Sequence, residues 1–228
     1  MKTYDLYVHS GPKRRKTFIA VPSLPGCIAL GDTTDDALAA APDAIRTYIA
    51  YLQRHGEPLD ASAQFNVRVA HENLDGSFLG SGFLDADTKP LSKADIVRSL
   101  RWLGWLHDDV RRVTAPLSPA KLRAKPATGR PIERILAHMC AEGGYLRGVT
   151  GASRVQRQAD EGTIDPRDAL DRLLELETAR LRTMSDEERT TVRPAGQSYW
   201  SARGAVRRML EHGWEHYLEI CRRLGVDP

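Results

Sequence analysis

The sequence predicts two joined folds: an α+β unit of order β-β-β-α-β, then an all-α, up-and-down four-helix bundle. Three observations predict this. Apolar and polar side chains alternate through the first part of the chain. An amphipathic stretch and one more alternating run follow, up to about His71. From Ser92 onward only helical apolar periodicity recurs, four times over. The boundaries read as 1–84 for the first unit and 92–228 for the second.

The elements follow in order. "TYDLYV" (Thr3–Val8) and "KTFIAV" (Lys16–Val21) read as strands flanking a turn. That turn carries "PKRRK" (Pro12–Lys16), the densest basic run. It reads as a solvated hairpin turn, with contact to phosphates the less favoured use. "SLPGCIALGDT" (Ser23–Thr33) holds a short strand between two turns. Thr33 with Asp36 forms a capping box that opens a helix. Leu38, Ala41, Ile45, Tyr48, Ile49 and Leu52 lie on one stripe of that helix, Pro42 should bend or break it, and Gly56 and Pro58 end it. "QFNVRVAH" (Gln64–His71) is the last strand. "DADTKPLS" (Asp85–Ser92) reads as a linker ending on an N-cap.

In the second unit, helix one places Ile96, Leu100, Leu103, His107 and Val110 on a single face. Helix two spans Arg130–Val149, with Pro131 in its first turn. A long polar link, "TGASRVQRQADEGT", leads to helix three. That helix is capped by Asp165 and carries Leu170, Leu173, Leu174, Glu177 and Leu181 on its stripe. Helix four covers about Tyr199–Leu224 and stops at Gly225.

Composition narrows the class. The 228 residues are 41% hydrophobic and 28% charged, with a formal net charge of +3, as in globular proteins. The first ninety residues carry a slight acidic excess and the rest a basic one, so neither part makes a strong field. No apolar run approaches a membrane span, and "MKTYDLYVHSGPKRRK" has no apolar signal core, so a cytoplasmic protein is expected. Cys27, Cys140 and Cys221 are odd in number and widely spaced, which argues for reduced thiols rather than a disulfide framework. Nucleotide-binding and serine-hydrolase motifs are missing.

The stretch Pro22–Leu59, with "LPGC", then "GDT", then a helix ending in "GEP", resembles HicB-like antitoxin domains. The resemblance covers about the first 70 residues. It implies a small toxin-like or RNA-binding protein partner and self-association, hence a homodimer. Neither a helix-turn-helix nor a ribbon-helix-helix segment is legible after it, so DNA binding is not expected.

The second unit carries a histidine pattern. Residues four apart on a helix differ by about 40° around the axis and about 6 Å along it. His212 and His216 in "RRMLEHGWEHYLEI" can therefore aim at one point, although such a pair also occurs as plain helix decoration. A catalytic zinc-type site wants a third protein ligand. His138 in "ERILAHMCAEGGYL" is the candidate, since it follows Ile135 on the helix-two stripe. His107 reads as a core residue or as support behind the ligands. Glu142 or Glu215 could orient a ligand's second nitrogen. Cys140 sits about 200° round the helix from His138, and Cys221 is also poorly aligned, so both read as small core residues. Tyr145 and Tyr217 read as core residues that could line a pocket, and Trp214 as a packing residue.

"LRWLGWLHDDV", "GRPIERILAHMCAEGGYL" and "AVRRMLEHGWEHYLEI" resemble, in that order, the DinB-like metal-binding bundles, which include thiol-dependent S-transferases. The resemblance implies a divalent ion on His138, His212 and His216. It also implies S-transfer or isomerisation with a low-molecular-weight thiol and an electrophile. Three imidazoles suit zinc or nickel first, then ferrous iron.

Overall fold

A computed structural model describes residues 1–11, 16–74, 82–196 and 198–228. Most of the basic run at 12–16 therefore lies outside the described residues. The element order is β1 (Lys2–Ser10), β2 (Thr17–Ala20), β3 (Ile28–Gly31), α1 (Thr34–Arg54) and β4 (Phe65–Asn73). A 3-10 turn (Asp85–Thr88) follows, then α2 (Lys93–Thr114), α3 (Pro119–Arg123) and α4 (Ile132–Met139). A second 3-10 turn (Cys140–Gly144) leads to α5 (Ala152–Asp160), α6 (Pro166–Arg182), α7 (Asp186–Thr190), β5 (Arg193–Ala195), β6 (Ser198–Trp200) and α8 (Ala202–Leu224). The chain thus folds as β-β-β-α-β followed by a region of several helices. It divides into two compact units, Met1–Lys89 with Val192–Arg207, and Pro90–Thr191 with Arg208–Pro228.

In the first unit the sheet order is β3-β2-β1-β4. β1, β2 and β3 are antiparallel neighbours, and β4 is parallel to β1, with one irregularity between Leu6 and Tyr7. Helix α1 covers the sheet at β2 and β3. Ala37, Ala41, Ile45, Tyr48, Ile49, Tyr51 and Leu52 are its buried residues. Leu38 is only half-buried. Its N-terminus is closed by the Thr33–Asp36 capping box. Gly31 is required here, because a Cβ would stand 2.3 Å from the Ala37 nitrogen. Pro42 leaves α1 an unbroken helix from Thr34 to Arg54 rather than dividing it.

The segment read as a plain linker is ordered instead. Asp87 of the first 3-10 turn is buried and takes a two-pronged ion pair from Arg207, with Nε–Oδ1 at 2.9 Å and Nη2–Oδ2 at 2.7 Å. The Leu84 amide and the Ser201 hydroxyl add hydrogen bonds to the same residue. The end of the short β5–β6 hairpin takes Tyr199 and Trp200, which the sequence reading gives to helix four. Ser201 Oγ accepts the Gly204 amide at 3.0 Å, which starts α8 at Ala202 rather than near Tyr199.

The second unit packs α6 against α2, α4 and α5. Helix two of the sequence reading is shorter than expected. Its α-helical part ends at Met139 and continues as the 3-10 turn Cys140–Gly144. Gly143 and Gly144 favour that break, since adjacent glycines weaken a helix. A Cβ on Gly143 would meet Leu173 Cδ1 at 2.7 Å and Ala152 Cβ at 2.8 Å, so the glycine permits a close approach. The stretch read as a polar link contains α5, whose buried side is only Ala152, Val155 and Ala159. Such small residues leave a faint periodic signal. Among the described residues, no helix is long and apolar enough to cross a membrane.

Candidate metal centre

Helix α8 is a run of good helix formers that presents its histidines one turn apart, and both are buried, His212 at 3% and His216 at 5% exposed. His138 is on the last turn of α4 and is the exposed member of the group. The three rings converge. Their centroids are 4.5 Å apart for His212 and His216, 4.8 Å for His138 and His216, and 5.1 Å for His138 and His212. One nitrogen of each lies within 4.8 Å of the others. A tetrahedral ion with bonds near 2.05 Å needs about 3.4 Å between ligand nitrogens. An ion would have to draw these nitrogens closer than 4.8 Å.

Two of the three rings are held toward the neutral form. Partial burial, then the neighbouring His216, Arg130 and His212, drive the His138 pKa down to about 4. Burial likewise lowers that of His216, against the pull of Glu219. His138 and His216 thus keep lone pairs free at neutral pH, as a divalent ion would need of them.

Each buried histidine has a carboxylate behind it. Glu219 Oε2 lies 2.9 Å from His216 Nδ1. Arg130 Nη2 is 3.1 Å from the same nitrogen and 3.0 Å from Glu219 Oε2. Since Nδ1 cannot both donate to the carboxylate and accept from the guanidinium, the consistent assignment has Nδ1–H and Arg130 both donating to Glu219. That leaves His216 Nε2 as the metal-facing lone pair. Burial pushes the Glu219 carboxyl up, but His216 and Arg130 outweigh it and hold it down at about 2.

Behind His212 stands Glu142, fully buried, with Oε2 3.6 Å from His212 Nδ1. That is long for a hydrogen bond and within ion-pair reach. Its Oε1 takes His107 Nε2 at 3.1 Å. Burial raises the Glu142 pKa, and the two imidazoles reverse this and hold it below the ordinary carboxylate range. Gly213 lies against this carboxylate, where a Cβ would make ordinary contacts at 3.8 Å to Glu142 Oε2 and 3.4 Å to Leu106 Cδ1.

The remaining candidates fall into place around this group. His107 lies behind Glu142, away from the converging nitrogens. The carboxylate on His216 Nδ1 is Glu219, three residues on, and not Glu215. The ring of Tyr145 meets that of His212 edge-on at 5.6 Å, and its hydroxyl accepts from Arg208 at 3.3 Å. Tyr217 is buried beside Trp214. Cys140 and Cys221 are buried free thiols outside the converging group, and the Cys140 thiol donates to the Leu136 carbonyl. Burial raises the Cys140 pKa, which removes it as a thiolate donor. Sequence reasoning did not single out Arg130 or Glu219. Glu219 carried a signal, an acid three residues after a candidate ligand on one helix face. Arg130 is 86 residues from His216 and carried none.

Comparisons with known proteins speak to the first unit. A family model described as the HicB-like antitoxin of bacterial toxin–antitoxin systems matches residues 4–95. The chain is 41% identical over 53 residues to UPF0150 protein Ta0767 of Thermoplasma acidophilum, a stretch that is 22% of this chain and 77% of that relative. No solved structure matches. With this match resting on the sheet and helix described above, the chain belongs, through its N-terminal unit, to the HicB-like antitoxin family.

Proposed function

We propose that the chain is a HicB-like, partner-binding protein of the cytoplasm whose helical unit is a DinB-like bundle holding a divalent ion, zinc or nickel, on His138, His212 and His216. The observation that carries the metal reading is the approach of three imidazole nitrogens to within 4.8 Å of one another, from two separate helices. The family match over residues 4–95 supports a small toxin-like protein as the partner, and a homodimer is part of the same proposal. In this reading the ion fastens α4 to α8 and thereby sets the shape of the helical unit.

A second reading is a metal-dependent thiol S-transferase or isomerase, and one feature favours it. His138 is exposed while the other two ligands are buried, so the remaining positions on an ion would face outward, toward an incoming thiol. The ion would supply Lewis acidity toward that thiol or toward water. The chain's own part would be to hold the donors in place through Glu219 and Glu142.

Elemental analysis of purified protein tests the metal reading. Wild type should carry about one ion per chain and His212→Ala none. Stoichiometric ion that survives the substitution removes His212 from the ligand set. Failure to take up zinc or nickel at all sinks the reading. Co-purification with a small basic toxin-like protein encoded beside this chain separates the two functions. A stable complex supports partner binding, whereas no complex, together with consumption of a thiol and an electrophile, supports the enzyme.

A further inference from the structure

The second unit holds a cavity of about 240 Å³, walled by α3, the start of α4, the end of α5 and the turn into α6. Leu122, Ala159, Ile164 and Pro166 give it an apolar lining, and Arg123 and Glu133 give it opposite charges. The frame around it is fixed. Arg134 Nη1 donates to the Asp160 carbonyl at 3.0 Å, which ties α4 to the end of α5. Asp165 caps α6 and is held by Arg167.

The charges that face the cavity are paired differently from their neighbours. Arg167 and Asp165 close to 2.6 Å, whereas Arg123 Nη1 stays 4.0 Å from Glu133 Oε1. That gap is too long for a hydrogen bond. Neither side chain makes any other ion pair or hydrogen bond among the described residues. The guanidinium therefore keeps its planar fork of donors, and the carboxylate its lone pairs, for a guest. Arg123 is largely exposed, so a guest can enter from solvent.

Charge and size select that guest. A simple anion drawn to Arg123 meets Glu133 beside it, and a simple cation meets the reverse, so a single charge gains little. A molecule that carries both charges close together satisfies both walls. The cavity is smaller than the roughly 300–1,000 Å³ of drug-sized ligand sites, so the guest has few heavy atoms.

We propose that this cavity binds a free α-amino acid with an apolar side chain of about leucine's size. Its carboxylate lies on the Arg123 fork, its ammonium on Glu133, and its side chain on Leu122, Ala159, Ile164 and Pro166. None of these residues belongs to the converging histidines, so the inference stands apart from the metal reading.

NMR titration of the full chain tests it with L-leucine, glycine and two leucine relatives that each lack one charge. Isocaproate has no ammonium, and isoamylamine has no carboxylate. L-Leucine should bind about 10-fold more tightly than either relative. It should also exceed glycine by roughly 10-fold, since glycine leaves the apolar lining uncovered. Arg123→Gln should bring leucine down to the level of isoamylamine, and Glu133→Gln to the level of isocaproate. Neither position is buried, and urea unfolding of both variants checks that the fold is kept. Four results overturn the proposal: no saturable leucine binding at millimolar concentration, leucine no tighter than its singly charged relatives, glycine as tight as leucine, or a folded variant with wild-type affinity.

Discussion

Both units bury charge, and they treat it differently. In the first unit, Asp87 and Arg207 are almost fully enclosed, at 1% and 4% side-chain exposure, and their pairing is complete. Two guanidinium nitrogens meet two carboxylate oxygens, and a backbone amide adds to them. In the second unit, Glu142 Oε2, both oxygens of Glu177, His107 Nδ1 and His212 Nδ1 are buried and meet no hydrogen-bond partner among the described residues. Closed pairing is what a structural clasp needs. Open valences in a close-packed interior cost stability, and proteins concentrate them where something is to be bound or transferred.

The largest expected effect breaks the clasp. Asp87→Ala leaves the Arg207 guanidinium buried and unpaired, and should cost about 3–5 kcal/mol in urea unfolding monitored on the full chain. Its metal content should be unaltered. A loss below 1 kcal/mol would show that the pair is not the closed structural contact described above.

Next comes the carboxylate behind His216. Glu219→Gln keeps the shape and weakens the hold on Nδ1–H, and should lower zinc affinity roughly 10- to 100-fold with fold stability little changed. Titration against a competing chelator reads this directly. An unchanged affinity would reduce Glu219 to a surface ion pair with Arg130.

The smallest effect is in pH. His138 has a folded-state pKa near 4 against an ordinary 6.5. As pH falls below 6.5 the unfolded chain takes up a proton that the folded chain refuses, so metal-free protein should lose stability between about pH 6.5 and 4. Removing the imidazole in His138→Ala should flatten that slope. The effect is modest because this ring is the exposed one of the three.

Much of this was legible from the residues. The capping box at Thr33, the alternating strands and the Asp165-Pro166 helix start all act locally, and each appears where expected. The i, i+4 spacing of His212 and His216 followed from helix geometry, whereas His138 was joined to them by its place after Ile135 and by the resemblance, and it stands exposed rather than on the buried stripe. What escaped depended on close approach or on distance along the chain. Small buried residues hid α5 inside a polar sequence, and Gly143 exchanged a helix for a tight turn because neighbouring side chains sit where its Cβ would be. The Asp87–Arg207 pair spans 120 residues. Glu177 was visible as an acid on an apolar stripe. Its full burial beside Glu142 appears only once α6 meets the turn before α5.

The parallel pairing of β1 with β4 bears on the order of assembly during synthesis. β1 is a central strand, and its antiparallel neighbour β2 leaves the ribosome within a few residues of it, so that hairpin can close early. The other edge of β1 waits until α1 and the chain up to Asn73 have emerged. Until then a nascent chain carries one open edge on its central strand. Slow translation through residues 65–73 would lengthen the window in which a second nascent chain could seize that edge.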